Sequence, residues 1–404
     1  MKTTLAALTL TLATAGPALA QQCGGDFSAW RAGVAQEAQA AGVGQRGLAA
    51  LDNARLDERV LSRDRAQGVF TQTFTEFAGR MINSYRLEQG ASLLRRHADL
   101  FAKAERDYGV PGPVIAAFWA LETDFGAVQG DFNTLNALVT LAHDCRRPEL
   151  FRPQLVPMLT LIDNGTLPAD SQGAWAGEIG QTQMLPSDIL KLGVDGDGDG
   201  VVDMRRSVPD VILTTGRKIE SRGWRAGEPW MQEVQVPDAL PWEETGRVNR
   251  LPISQWTEWG VTKRDGSPLD AGAPDAGLAL PMGHKGPAFL VYPNFDVYLE
   301  WNQSFTYTLT AANLATRLAG APRFDARSPE QGLTGDAMKL LQQKLLDRGH
   351  DVGGIDGILG AMTREAVRVE QQRLGLPVDG WPTPGATDEP VRVKEVRYPA
   401  ALLP

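Results

Sequence analysis

The stretch Tyr108 to Gly130, YGVPGPVIAAFWALETDFGAVQG, holds the residue best suited to acid–base chemistry in this chain. With Val114 to Thr123 helical, Ile115, Phe118, Trp119 and Glu122 fall at i, i+3, i+4 and i+7, so Glu122 shares the apolar face. Phe118 and Trp119 lie one turn back, Phe125 and Gly126 one turn on, and none of them is a counter-ion. A carboxylate against aromatic surface keeps its proton more tightly, because desolvation penalises the charged form. That is the state a general acid needs near neutral pH. The alternative is a helix shifted in phase, with Glu122 an ordinary exposed residue. Asp124 points the opposite way on the same wheel and is expected in solvent.

A second carboxylate pattern runs from Asp195 to Asp203, DGDGDGVVD. Asp195, Asp197, Asp199, Gly200 and Asp203 reproduce positions 1, 3, 5, 6 and 9 of a calcium loop, with the Val201 carbonyl available at position 7. Position 12 is Arg206, which removes the bidentate carboxylate; Asp210 from the following helix is the available substitute. Any such site is expected to be structural and weak. The alternative is a solvated Asp/Gly turn.

The elements that must position these groups belong to a chain of 404 residues, enough for two or three domains. Hydrophobic residues at 43% provide for a core. With 40 Lys+Arg against 49 Asp+Glu the net charge is −9, no footprint for phosphate backbones, so nucleic-acid binding is not expected. Four histidines and two cysteines are too few for most zinc or iron–sulfur arrangements. HExxH, CxxC, GxSxG and Walker-type patterns are missing from the sequence.

Residues 1–20 read as a secretory signal: Lys2, an apolar run from Leu5 to Ala15, and Ala18-Leu19-Ala20 as a small-x-small cleavage site. The run is too short for a mature membrane span, and no other transmembrane segment is expected. Cys23 follows Ala20-Gln21-Gln22, which lacks the small residue that lipoprotein processing requires before the cysteine, so no lipid anchor is expected. In an exported chain Cys23 and Cys145 are expected to form one disulfide, constraining the unfolded chain by ~4–5 kcal/mol in the entropy model. Two buried thiols are the alternative.

Helical spacing dominates from Phe27 to about Leu141, for example in Val69, Phe70, Phe74 and Phe77. It returns at Val211 to Ile219 and Tyr307 to Leu318. Between Trp224 and Pro281 no period is strong, and the short apolar run Ala288 to Tyr292 follows. The expected divisions are a signal at 1–20, a large helical body at 21–320, a linker at 321–331, a small helical unit at 332–390 and a tail at 391–404. Ile355-Asp356-Gly357 and Val378-Asp379-Gly380 form a weak internal duplication in the small unit. So small a core suits a binding module better than an enzyme.

LETDFG (Leu121 to Gly126) followed by GAWAGEIGQTQMLPS (Gly173 to Ser187) closely resembles the membrane-bound lytic transglycosylase B family of peptidoglycan-cleaving enzymes. PMGHKGPAFLVYPNF (Pro281 to Phe295) and WNQSFTY (Trp301 to Tyr307) resemble its later segments, in family order. LQQKLLDRGH, IDGILGAMT and LPVDG resemble the helical peptidoglycan-binding domain often appended to wall enzymes. The resemblance implies a mainly α protein: a lysozyme-like catalytic domain and a small three-helix binding domain. It implies Glu122 as the catalytic residue, without a cofactor, cutting between N-acetylmuramic acid and N-acetylglucosamine to leave a 1,6-anhydromuramyl end. Glycan strands would be the partner, beside proteins of wall synthesis or division.

By resemblance, Gln183 bonds sugar near the cleavage point and Tyr307 orients the acetamido group or Glu122. Asn302 and Gly177 to Gly180 shape the cleft wall, and Arg146 and Arg147 meet carboxylates of the peptide stems. Seven of the ten tryptophans lie between Trp175 and Trp301; core packing is the expected use of most, with Trp175, inside the motif, assigned to sugar. Family calcium loops occur where the Asp-Gly run stands. Ala174 replaces a usual Ser, Lys218 stands about where many members have Tyr, and Glu370 where the small domain usually has an aromatic. Glu178 replaces a small residue; facing Glu122 across room for a water, it would permit inverting hydrolysis. A hydrolytic muramidase and a non-catalytic wall-binding scaffold are therefore the competing expectations.

Overall fold

The computed structural model describes residues 23–66 and 72–384. The signal at 1–20, Val69 and Phe70 of the helical stripe, the tail 391–404 and the end of the small unit lie outside the described residues. Helices form where the sequence shows helical spacing, and side-chain caps set their starts. Thr73 and Glu76 make a reciprocal capping box ahead of the helix Phe74–Met81. Ser207 and Ser304 cap Val208–Ser221 and Phe305–Leu318, so both helices begin earlier than their apolar periodicity does. Among the described residues no helix is long and apolar enough to cross a membrane.

The chain divides into two compact units. One comprises the described part of Met1–Arg65 with Gly130–Glu178 and Leu185–Leu190. In it the helices Gln45–Asp52 and Leu155–Asp163 pack together, and a short antiparallel ladder joins β1 (Phe132–Asn133) to β2 (Gln172–Gly173). Cys23 and Cys145 are bridged, with Cα atoms 5.3 Å apart and 122 positions between them in sequence. Gly24 donates its N–H to the His143 carbonyl beside the bridge (2.7 Å).

The other unit holds Ala66–Gln129, Ile179–Met184 and the chain from Lys191 on. Its centre is the helix Gly112–Thr123, with Pro111 at the N-cap and a further proline in the first turn. Ten of its twelve residues are buried, so the expectation of one apolar face is corrected: the helix is surrounded. Ser84–Arg96, Ala98–Tyr108, Val208–Ser221 and Phe305–Leu318 pack against it.

The stretch without a period contributes four strands, and the apolar run after it a fifth, to an antiparallel sheet that the sequence did not announce. Its strands are β3 (Met231–Gln235), β4 (Gly246–Leu251), β5 (Thr262–Lys263), β6 (Ala276–Ala279) and β7 (Phe289–Val291), in the order β4-β6-β7-β3-β5. Its core includes Trp256, whose Nε1 donates to the Ala276 carbonyl at 2.8 Å. The expected linker also differs from a free spacer. Phe324 stacks on Phe74 (5.0 Å), Arg327 Nη1 donates to the Gly286 carbonyl (3.1 Å), and Ser328 N–H donates to the Lys285 carbonyl (3.2 Å).

After it come two helices among the described residues, Gly335–Asp347 and Ala361–Leu374, where three were expected. The duplication is visible as a repeated clasp. Gln342 Nε2 donates to Asp356 Oδ1 (3.0 Å) while its Oε1 accepts from Gly357 N–H (2.8 Å). Gln371 does the same with Asp379 and Gly380, both at 2.8 Å. Glu370, in place of an aromatic, does not leave a defect: Arg348 (2.6 Å), Arg373 (2.9 Å) and His350 (3.0 Å) surround its carboxylate. Burial pushes that carboxyl up, and these partners outweigh it and hold it below the glutamate range.

The pair is seated on the sheet-bearing body. Arg364 Nη2 donates to the Pro281 carbonyl (2.8 Å), with its guanidinium 5.5 Å from the Phe305 ring and 5.7 Å from that of Trp381. Burial pushes its pKa down to about 10, so it stays charged at neutral pH. Arg368 Nη2 donates to the Glu243 carbonyl (2.8 Å), and His284 Nδ1 lies 2.6 Å from Asp379 Oδ2.

Candidate active site

Glu122 stands one residue before the end of the central helix. The chain then turns through two left-handed residues, Asp124 (φ 51°) and Phe125 (φ 60°). Asp124 is not simply solvated, as the wheel suggested, because the helix has already ended: its Oδ1 accepts from Arg86 Nε at 2.6 Å. Thr123 Oγ1 donates to the Gln181 carbonyl (2.5 Å), and Trp119 Nε1 donates to Gln181 Oε1 (2.9 Å). The loop that carries the second motif thereby fastens the helix end from below Glu122.

Two donors converge on Glu122 Oε1: the Tyr307 hydroxyl at 2.5 Å and Trp301 Nε1 at 2.9 Å. Burial is the largest influence on this carboxyl and raises its pKa; the two hydrogen bonds and the nearby Lys218 charge offset that only in part. Burial, then the Glu122 charge, holds the Tyr307 hydroxyl well above its ordinary value, so Tyr307 stays a donor. The arrangement is a buried carboxyl, its pKa raised, with one oxygen fixed by two donors.

Trp301 is the site residue that the sequence reading assigned no role. It lies on the Phe118 ring (4.3 Å, 25°), and Lys218 Nζ sits 4.2 Å from its ring centroid. Lys218, expected about where many members have Tyr, thus lies on the face of an aromatic ring, that of Trp301. Gln181 and Arg86 were also overlooked. The sequence carries little signal for them, since each acts through partners distant along the chain.

Gln183 has φ 51° and folds its Nε2 back onto the Gly180 carbonyl (2.8 Å), inside a loop closed by the Ile179–Met184 bridge. Asn302 Oδ1 accepts from Ser304 N–H (2.9 Å), which shapes the entry to the Tyr307 helix. Trp175 and Glu178 belong to the first unit, where Ala174 N–H donates to the Glu178 carbonyl (2.8 Å). Arg146 and Arg147 both meet Asp64 of their own unit, buried, with Arg146 Nη1 at 2.5 Å from it. Burial raises the Asp64 pKa, but the two guanidinium groups outweigh that and hold it below the usual range.

In the Asp-Gly loop, Asp195, Asp197 and Asp210 bring ligand oxygens within 4.8 Å of one another. Asp199, which accepts from Val201 N–H, and Asp203, which accepts from Arg206 Nε at 2.7 Å, lie outside this cluster. Asp210 is fully buried; burial raises its pKa, partly offset by the N–H groups of Gly196 and Asp203. An all-carboxylate donor set with one desolvated member fits a hard cation.

Residues 26–316 match the family model described as Transglycosylase SLT domain, and 334–385 match a peptidoglycan binding domain model. The chain is 27% identical over 242 residues to membrane-bound lytic murein transglycosylase B of Escherichia coli K12, covering 59% of this chain and 66% of that protein. It resembles Pseudomonas aeruginosa SltB3 in complex with NAG-anhNAM-pentapeptide at 36% identity and TM-score 0.83, over 90% of this chain and 98% of that one. Escherichia coli Slt35 in complex with calcium is similar at 26% identity and TM-score 0.59, over 74% and 96%. With that family model matched through most of its length, the chain belongs to the SLT transglycosylase family of lytic murein transglycosylases.

Proposed function

We propose that this protein cleaves the β-1,4 bond between N-acetylmuramic acid and N-acetylglucosamine in peptidoglycan, leaving a 1,6-anhydromuramyl end, for wall remodelling and turnover. The observation that carries this reading is the raised, doubly anchored carboxyl of Glu122. Glu122 gives its proton to the glycosidic oxygen as the C1–O4 bond breaks. Tyr307 and Trp301 stay on Oε1 and stabilise the carboxylate as it forms. The muramyl 2-acetamido oxygen supports the electron-poor C1, and the Glu122 carboxylate then accepts the C6 hydroxyl proton as O6 bonds to C1. Glu122 ends protonated, and no water is consumed.

The test is mass spectrometry of muropeptides released from purified sacculi. Products one water lighter than those of a muramidase are expected. Hydrated reducing ends would shift the reaction to hydrolysis and attention to Glu178, and sedimentation with sacculi without release would make the protein a scaffold.

The Cys23–Cys145 bridge supports the reading of an exported chain, since disulfides persist in oxidising compartments. Asp195, Asp197 and Asp210 would hold calcium as a structural ion bracing the start of the Val208–Ser221 helix. Millimolar calcium is expected to raise Tm by a few degrees, and Asp210→Asn to abolish that rise. The increment should shrink as pH falls, because the ligands must be ionised and burial holds the Asp210 carboxyl above the usual aspartate range. An unchanged Tm at every pH would remove calcium from the account.

A further inference from the structure

Lys218 is only 7% exposed, and a lysine so buried needs an electrostatic reason. It projects from the Val208–Ser221 helix, which packs on the Glu122 helix, and its ammonium lies 4.2 Å from the Trp301 centroid. Phe118 stacks on the same indole at 4.3 Å, so Trp301 is held by an aromatic ring and a cation while its Nε1 points at Glu122 Oε1. We propose that Lys218 is a positioning residue for the reaction: it steadies the indole that donates to Glu122 and supplies positive charge to the carboxylate left after proton transfer. This rests on the reading of Glu122 as the acid.

The groups around Glu122 support a charge role. From the helix Phe305–Leu318 comes Tyr307, a donor; from the end of Pro293–Trp301 comes Trp301, a donor without charge. On Ser84–Arg96, Arg86 is ion-paired with Asp124 and acts on the Tyr307 hydroxyl. Lys218 is the cation acting on the Glu122 carboxyl itself, and it draws that pKa down against the larger effect of burial. The acid is thereby kept able to let its proton go. A neutral residue at 218 would leave Glu122 holding the proton more tightly and without charge compensation when it forms the carboxylate.

The experiment is the pH profile of kcat/KM for anhydromuropeptide release, for the unaltered enzyme and for Lys218→Met, Lys218→Arg and Glu122→Gln. Activity needs protonated Glu122, so its alkaline limb follows the Glu122 pKa. Lys218→Met is expected to move that limb upward by about one pH unit and to lower the maximum rate about tenfold. Lys218→Arg keeps a cation over the indole and should return the limb to its original place. If the methionine variant does not fold, Lys218→Gln carries the same test. A limb that stays in place with a neutral residue, whatever the rate, overturns the proposal while Glu122→Gln remains inactive. Activity in Glu122→Gln would overturn the reading of the acid and the proposal with it.

Discussion

Glu122→Gln is expected to cut anhydromuropeptide release at least ~1,000-fold while the protein stays folded. The amide is nearly isosteric, and its oxygen can accept from Tyr307 and Trp301 as Oε1 does. What is lost is the proton that must move to the glycosidic oxygen, and the base that must take one back. Stability should move the other way. A carboxyl whose folded pKa is raised favours the folded state below the ordinary glutamate range, and that contribution is lost as pH rises through the elevated value. The glutamine variant escapes this loss, so its Tm advantage should widen between those two pH values and then level off. Tm measured across pH beside the product assay checks both halves; a variant losing activity and stability together would make Glu122 a structural residue.

Gly180→Ala is expected to cost about 2–4 kcal/mol in denaturant unfolding, with a severe loss of activity. Gly180 has φ 79°, and a Cβ there would lie 2.4 Å from the Met204 carbonyl oxygen, which cannot move as a side-chain tip would. That same carbonyl accepts from Gln181 N–H at 2.9 Å. Shifting it would disturb the residue that fastens Trp119 and Thr123, and through them the end of the Glu122 helix. Gly223→Ala separates the two causes, since φ there is 94° and nothing lies within 4 Å of a Cβ. It should cost only the backbone preference, about 1–2 kcal/mol, and leave activity intact. Equal costs at the two positions would show that crowding at Gly180 is relieved without consequence.

The sequence made the Glu122 helix legible because a lone carboxylate in a long apolar run has few explanations. The Asp-Gly clasps were visible for a similar reason, as a turn with fixed chemistry repeated in a short stretch. The sheet was not, because its strands are two to six residues long and β6, Ala-Gly-Leu-Ala, is buried on both faces and shows no alternation. Trp301 escaped notice because its bond to Glu122 spans 179 positions, and no local period connects them. Arg146 and Arg147 showed their charge but not its partner. Asp64 lies on a helix far upstream, and a buried aspartate reads in sequence like an exposed one.

The seating of Arg364 bears on how grip and cut are coupled. A module on a loose tether adds its affinity through effective concentration, and any reach within the tether's length serves. A helix pair fastened by a buried guanidinium, two carbonyl acceptors and the His284–Asp379 contact has no such reach. Its place relative to Glu122 is set by these contacts, so glycan held there would be expected at a fixed offset from the carboxyl rather than anywhere within a tether's length.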